Sequence, residues 1–108
     1  METEFLNAVE IKGVVGRVTR TQSGEMTIVN FSVVTERTYT DKNGTKTIET
    51  TWFNCVSFKN VPIDKGDNVH CLGHFRTRRY TDNSGAERTS YEVVTNSVTV
   101  LKKYTDTQ

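Results

Sequence analysis

The stretch "VHCLGHFRTRRYTDNSGAERTSYEVV" (residues 69–94) decides the fold class, because it contains two strand-like runs separated by a turn. The alternation of apolar and polar side chains on both sides of "TDNSGA" has the period of an extended strand. Gly85 stands in the turn, where a positive φ is needed and glycine adopts one without steric cost. The stretch therefore predicts a β-hairpin.

The remaining chain repeats this pattern of strand and turn. "VEIKGVVGRV" and "TIVNFSVVTE" flank a turn at Gly24, and the Thr-rich segment around Asn43-Gly44 predicts a long, projecting hairpin arm. "TWFNCVSF" (residues 51–58) alternates so that Trp52 and Phe58 share one face. "KNVPIDKGDN" has room only for a turn or one loose helical turn. About five strands favour a small barrel over a sandwich.

The composition agrees with an all-β chain. Its 108 residues are 34% apolar, with much Thr, Val and Ser and little Leu, which favours strands over helices. We expect one domain over residues 1–108, with its core at about 7–101 and a short flexible end at 102–108. The fold expected is a five-stranded barrel with little or no helix.

The charge and the cysteines limit the possible partners and cellular compartment of the protein. The formal net charge is +1, so an anionic partner must be met by a local arrangement of charges. No apolar run reaches the ~18 residues that span a bilayer, and the start lacks the features of a signal peptide. Cys55 and Cys71 stand alone in apolar runs, which favours buried free thiols and a reducing cytosol.

The strand before the Gly85 turn carries the main binding signal. Arg76, Arg78 and Tyr80 have the same parity and project from one face, whereas Arg79 projects from the other. Guanidinium groups bind phosphates through paired hydrogen bonds, and an aromatic ring stacks on a nucleobase. We expect the acidic residues to lie elsewhere, which would let a nearly neutral chain bind a polyanion.

Other rings extend this strip. Trp52 and Phe58 supply an aromatic pair from another strand, and Tyr39 lies at the base of the projecting arm. Any one of these rings is equally compatible with a packing role, but together they exceed what so small a core needs. Stacking requires exposed base faces, and no recognition helix is present, so the pattern favours single strands over duplex DNA.

A metal or catalytic role has less support. His70 and His74 share parity on one strand and could form a metal pair, but no third ligand lies nearby in sequence. No catalytic triad, paired carboxylate site or phosphate loop stands out. We therefore expect no enzymatic activity, no metal and no cofactor, and retain a small enzyme or metal protein that uses His70 and His74 as the least favoured alternative.

The same residues resemble the bacterial single-stranded DNA-binding protein family, which has the OB-fold. The similarity runs from "NAVEIKGVVG" through "ETTWFNCVSF" to "KGDNVHCLGHFRTRRYTDNSGAERTSYEVV". It implies an OB-fold barrel that binds single-stranded DNA without sequence preference in replication, recombination or repair. A primosomal-type OB-fold adaptor protein in replication restart is the alternative. The implied location is the bacterial cytosol or nucleoid.

The resemblance also implies residue roles. The family's stacking rings fall on four side chains: Tyr39, Trp52, Phe58 and Tyr80. Its basic strand falls on Arg76, Arg78 and Arg79, and a basic position of the other hairpin falls on Lys42. We add Arg88 as a further phosphate contact. Asn54 stands where some members carry arginine, so one phosphate contact is expected to be missing.

The implied assembly is a homotetramer built as a dimer of dimers. The first strand would pair with its own copy around Ile11, which sets Glu10 of one chain opposite Lys12 of the other. His70 falls near the second, tetramer-forming contact.

Three departures from the family accompany this resemblance. The helix usual between the third and fourth strands has no room here, so we expect Phe5 and Leu6 to cover that end of the barrel. The first loop lacks the usual Asp-Pro. The sequence ends at "KKYTDTQ" without the acidic tip that recruits other enzymes, which suggests a truncated chain or a short member of the family.

Overall fold

The computed structural model describes residues 3–105 and contains five β-strands and no helix within that range. The strands are β1 (Val9–Ser23), β2 (Met26–Thr40), β3 (Lys46–Ser57), β4 (Asn68–Thr81) and β5 (Glu87–Lys102). They form a closed barrel in the order β1-β2-β3-β5-β4, which confirms the expected all-β architecture. No helix in the described range is long and apolar enough to cross a membrane.

The barrel closes through a short parallel contact between β3 and β5. This contact consists of two residue pairs, Cys55 with Val93 and Val56 with Val94. Thr95 strengthens it by donating its hydroxyl hydrogen to the carbonyl of Val56 at 3.0 Å. Beyond these pairs the β2–β3 and β4–β5 hairpins separate and project as two arms. The radius of gyration is therefore 16.9 Å, against about 13 Å for a compact chain of 100 residues.

The two arms end in the same kind of turn. Asp41 and Asp82 each accept, at Oδ1, the backbone N–H groups of the residues two and four positions later. Gly44 and Gly85 then adopt φ values of +82° and +88°, so the positive φ expected at Gly85 is confirmed. Only glycines have a positive φ among the described residues, and the Asn43-Gly44 turn is therefore not a two-residue type I′ turn.

The core is formed by aliphatic residues, one phenylalanine and two thiols, which come from the inward faces of the strands and from the β3–β4 loop. Its buried members are Ile11, Val15, Val29, Phe31, Val33, Cys55, Ile63, Val69, Cys71 and Val93. Both cysteines are free and buried, as expected from the sequence. Burial raises the pKa of the Cys55 thiol to about 12, with a smaller contribution from Cys71, and raises the pKa of Cys71 to about 11.

Ile63 covers the end of the barrel where the family's usual helix is missing. It lies in the loop between β3 and β4 and is fully buried in the core. Arg20 holds this loop by donating from Nη2 to the carbonyls of Val61 and Ile63 at 2.8 and 2.9 Å. The expectation that Phe5 and Leu6 cover this end was wrong, since both are almost fully exposed. The loop supplies its own apolar side chain, so no distant residue is needed.

We predict that Ile63→Ala lowers the free energy of unfolding by about 2–5 kcal/mol, because it leaves a cavity in the core. Urea denaturation at a fixed protein concentration measures this change. Ile48→Ala removes the same atoms from an exposed site and is expected to change stability by less than about 0.5 kcal/mol. Equal effects of the two substitutions would contradict the role given to Ile63.

Candidate nucleic-acid interface

Two exposed aromatic rings lie on β3 and directly after it: Trp52 is in the strand, and Phe58 follows its last residue, Ser57. Trp52 and Phe58 are 59% and 41% exposed, whereas Cys55 on the opposite face is part of the core. The two rings are six residues apart, which corresponds to about 20 Å along a strand. Val56 lies between them on the same face but is buried beside β5. The rings therefore form two separate contact points rather than one cluster.

Trp52 reaches from β3 across β2 to β1. Its backbone partner on β2 is Val34, and its indole lies over Gly16 of β1. A Cβ atom added to Gly16 would come within 2.5 Å of the indole Cζ3. The absence of a side chain at Gly16 thus makes the space that the ring occupies.

Phe58 connects the aromatic face of β3 with the basic strand β4. The guanidinium carbon of Arg76 lies 5.7 Å from the centre of the Phe58 ring, within the range of a cation–π contact. On its other side Phe58 lines an open surface pocket of about 540 Å³ next to Met26 and the β1–β2 turn. An aromatic ring, a cation and an open groove therefore meet at one place.

The outward face of the β4–β5 arm carries Arg76, Arg78 and Tyr80, as expected from their parity. Glu92 of β5 lies directly opposite Arg76 and pairs with both arginines, with Nε to Oε1 distances of 2.9 and 3.4 Å. The Glu92 side chain is only 11% exposed. The expectation that acidic residues lie away from the arginines was therefore wrong for Glu92, which lies between Arg76 and Arg78.

The other arginines of this arm are also paired. Arg79 contacts Glu87 at 3.1 Å on the opposite face, and Arg88 contacts Asp82 at 2.8 Å. Hydrogen bonds from Ser84, Arg88 and the backbone of Ala86 lower the pKa of Asp82 to about 2. The sequence interpretation considered one strand at a time, whereas antiparallel pairing brings a carboxylate from β5 or from the turn beside each arginine.

Tyr39 does not share a face with Trp52. The β2–β3 register pairs Tyr39 with Thr47 and Val34 with Trp52, and no register shift separates these pairs. Tyr39 therefore lies on the face that continues the barrel's inner surface, beside Arg37, whose guanidinium carbon is 5.8 Å from the ring centre. The structure brings Trp52, Phe58 and Tyr80 to outward faces and separates Tyr39 from them.

Several basic side chains outside the β4–β5 arm have no ion-pair partner within residues 3–105. They are exposed or partly exposed and comprise Lys12, Arg17, Lys42, Lys46, Lys59, Lys65 and Lys102. Lys42 is exposed at the tip of the β2–β3 arm. An approaching anion meets these side chains without competition from a carboxylate of residues 3–105.

The sequence interpretation missed a site around Asp67. This buried carboxylate accepts hydrogen bonds from Lys103 Nζ at 2.7 Å, from the Tyr104 backbone N–H at 2.8 Å and from the Asp64 backbone N–H at 2.8 Å. Burial raises the pKa of Asp67, but the hydrogen bonds outweigh it and hold the pKa below its usual range. The network fixes Tyr104, which follows β5. Asp67 lies in the loop before β4, in a segment that the sequence interpretation assigned only to a turn.

The two histidines of β4 have separate surroundings. His70 Nε2 lies 2.6 Å from Oε2 of Glu10 on the neighbouring strand β1. Within residues 3–105 no group of three or more His, Cys, Asp or Glu residues has the arrangement of a metal site.

A model of the single-strand binding protein family matches residues 6–101, which is most of the barrel described above. The chain belongs to this family. It is 33% identical over 105 residues to the single-stranded DNA-binding protein of Neisseria meningitidis serogroup A, covering 89% of this chain. A Bacteroides thetaiotaomicron protein of the same name is also 33% identical, over 106 residues. The chain spans 60% and 66% of the lengths of these two relatives.

Solved structures of the family have the same OB-fold. The Plasmodium falciparum protein, solved in complex with single-stranded DNA, superposes with a TM-score of 0.84 at 22% identity, covering 94% of this chain and all of that one. A deletion mutant of the Thermus aquaticus single-stranded DNA-binding protein superposes with a TM-score of 0.78 at 14% identity, covering 90% and 51% of the two chains. These likenesses establish the fold.

Proposed function

We propose that this protein binds single-stranded DNA without sequence preference. The observation that carries the proposal is the contact between the Arg76 guanidinium and the ring of Phe58, which directly follows β3, the strand that exposes the ring of Trp52. Stacking on exposed rings is worth about 1–3 kcal/mol per base and tolerates every base, because each base has a π face. Membership in the family supports the same role.

The strand would follow the outward faces of β3 and β4. Trp52 and Phe58 are about 20 Å apart, so they stack on different bases with several nucleotides between them. Tyr80 extends the path along the β4–β5 arm. Tyr39 lies on the opposite face of its arm and would be reached only by a strand that wraps around the edge of that arm.

Phosphates would be neutralised in two ways. Arg76 and Arg78 each contact Glu92 through Nε, so a phosphate that binds their other N–H groups competes with this carboxylate for the guanidinium charge, whereas Lys42 has no such competitor within residues 3–105. Arg79 and Arg88 likewise have carboxylate partners on the arm. Affinity therefore depends on the balance between internal carboxylates and phosphates as well as on the number of basic residues.

The biological role that follows is protection and unfolding of exposed single strands during replication, recombination or repair. We place this role in the bacterial cytosol or nucleoid. The proposal requires no cofactor, metal or catalytic group, because stacking and ion pairing alone account for binding.

We also propose self-association through β1. Pairing of β1 with β2 begins at Val14, so one edge of Val9–Gly13 has no paired strand within residues 3–105. A second copy added antiparallel at this edge would set Glu10 opposite Lys12 in a reciprocal pair. Glu10 already contacts His70 of its own chain, which orients the carboxylate on this strand. A dimer of such dimers gives the homotetramer.

The binding proposal predicts that oligo-dT strongly quenches the fluorescence of Trp52, the single tryptophan of the chain. Quenching is expected because a base stacks on an indole that is 59% exposed. Matched RNA and a blunt duplex are titrated in parallel at several salt concentrations, and the affinity for the single strand is expected to fall with salt. The duplex is expected to cause little quenching.

Two outcomes would contradict this proposal. Equal affinity for duplex and single strand would show that binding does not depend on stacking with exposed base faces. If the fluorescence of Trp52 is unchanged and no binding is detected, the barrel serves contacts with proteins instead, as in a primosomal-type adaptor.

A second prediction concerns the carboxylate between the arginines. Glu92→Gln is expected to bind oligo-dT roughly fivefold more tightly at low salt, because a carboxylate no longer competes with phosphate for Arg76 and Arg78. The slope of log affinity against log salt should steepen by roughly 0.7 for each arginine released. Fluorescence polarisation of labelled oligo-dT at four or more salt concentrations measures both quantities.

Glu49→Gln is the matched control, because it changes the net charge equally but releases Arg37 on the opposite face of the other arm. It is expected to leave the slope close to that of the unchanged protein. The same slope for both variants would mean that net charge alone sets the affinity, and would reject the role given to Glu92.

The assembly proposal predicts that Glu10→Lys dissociates the oligomer, because two lysines then face each other across the two-fold axis. Lys12→Glu is expected to do the same. The double variant E10K/K12E restores the reciprocal pair and is expected to restore association, although it still lacks the Glu10–His70 contact. Sedimentation equilibrium measures the mass. A single variant that remains fully associated, or a double variant that stays dissociated, would contradict the β1 pairing.

A further inference from the structure

A second aromatic pocket lies on the outward face of β1, β2 and β3, away from the Phe58 groove. It has a volume of about 420 Å³, within the range of roughly 300–1,000 Å³ typical of ligand pockets. Trp52 and Tyr104 both line it, together with Val14, Gly16, Val34 and Lys65. The lining is mainly apolar, and among the described residues Lys65 is its one cationic side chain.

Two contacts hold Tyr104 in place, one at its ring and one at its backbone. It packs on Gly66, where an added Cβ would come within 2.7 Å of the ring Cγ. The backbone N–H of Tyr104 donates to the buried Asp67, and the same carboxylate accepts from Lys103. The ring is thus fixed before any ligand arrives, which lowers the entropic cost of binding.

The rings are available as well as fixed. Trp52 is 59% exposed and Tyr104 is 62% exposed, so each offers ring surface to solvent within the same pocket. Lys65 is exposed and has no ion-pair partner within residues 3–105. A nucleotide fits this arrangement. Its base can stack on the two rings between the aliphatic walls, and its phosphate can pair with the Lys65 ammonium group.

We propose that this pocket binds one nucleobase of the single strand, with Trp52 and Tyr104 as its aromatic walls and Lys65 on the neighbouring phosphate. This inference rests on the proposed function, since Trp52 also begins the path along β3. It adds Tyr104 and Lys65 to the binding residues and extends the path from β3 to the segment that follows β5. The bound strand would therefore run from the Phe58 groove past Trp52 to Tyr104.

The test compares three tyrosine variants with the unchanged protein. Tyr104→Ala removes the ring but keeps the backbone hydrogen bond to Asp67, and it is expected to bind short oligo-dT at least about fivefold more weakly. Tyr104→Phe keeps the ring and is expected to stay within about twofold. Tyr91→Ala is the matched control, because Tyr91 is 59% exposed on the inward face of the β4–β5 arm. It is also expected to stay within about twofold.

The readout is polarisation of a labelled oligonucleotide, which does not depend on the tryptophan signal. Lys65→Gln is measured in the same way and is expected to reduce the salt slope by roughly 0.7, the value for one phosphate contact on a single strand. Crosslinking of oligo-dT that contains 4-thiothymidine, followed by peptide mass spectrometry, is expected to label Tyr104.

The outcomes separate this inference from the proposed function. If the unchanged protein does not bind oligo-dT, the proposed function fails and this inference falls with it. If the unchanged protein binds, and Tyr104→Ala binds as tightly without a crosslink at Tyr104, the proposed function stands and the pocket assignment is overturned. That second result is also expected if the pocket receives a protein segment instead of a base.

Discussion

The two residue pairs that join β3 to β5 set the shape of the whole molecule. Cys55–Val93 and Val56–Val94 close the barrel, and Thr95 adds a hydrogen bond beside them. Because the contact is so short, the hairpins on either side separate immediately and project as arms. At this junction β5 lies between β3 and β4, and the Arg76 guanidinium of β4 reaches the ring of Phe58, the residue after β3.

Charge on this surface is organised by pairing across strands. A nearly neutral chain was expected to segregate its basic and acidic residues, but Glu92 lies between two arginines and is largely shielded from solvent. An anionic ligand that binds Arg76 or Arg78 therefore competes with a carboxylate of the protein. The Glu92 contacts order the arginines in the free protein and reduce their attraction for the ligand.

Local features could be predicted from the sequence, whereas contacts between distant segments could not. The turns at Gly24 and Gly85 and the two faces of β3 follow from neighbouring residues. The separation of Tyr39 from Trp52 depends on the register between β2 and β3, because Tyr39 has the parity of the buried Val33, whereas Val34 pairs with Trp52. The burial of Ile63 and the anchoring of Tyr104 join segments whose proximity only the closed barrel defines.

The buried thiols make the protein suited to site-specific labelling. A thiol reacts as its thiolate, and with pKa values of about 12 and 11 the thiolates of Cys55 and Cys71 are almost absent near neutral pH. A third cysteine placed at an exposed position would therefore be the one to take up a maleimide probe. Fluorophores can be attached to either arm without first removing the native cysteines from the core.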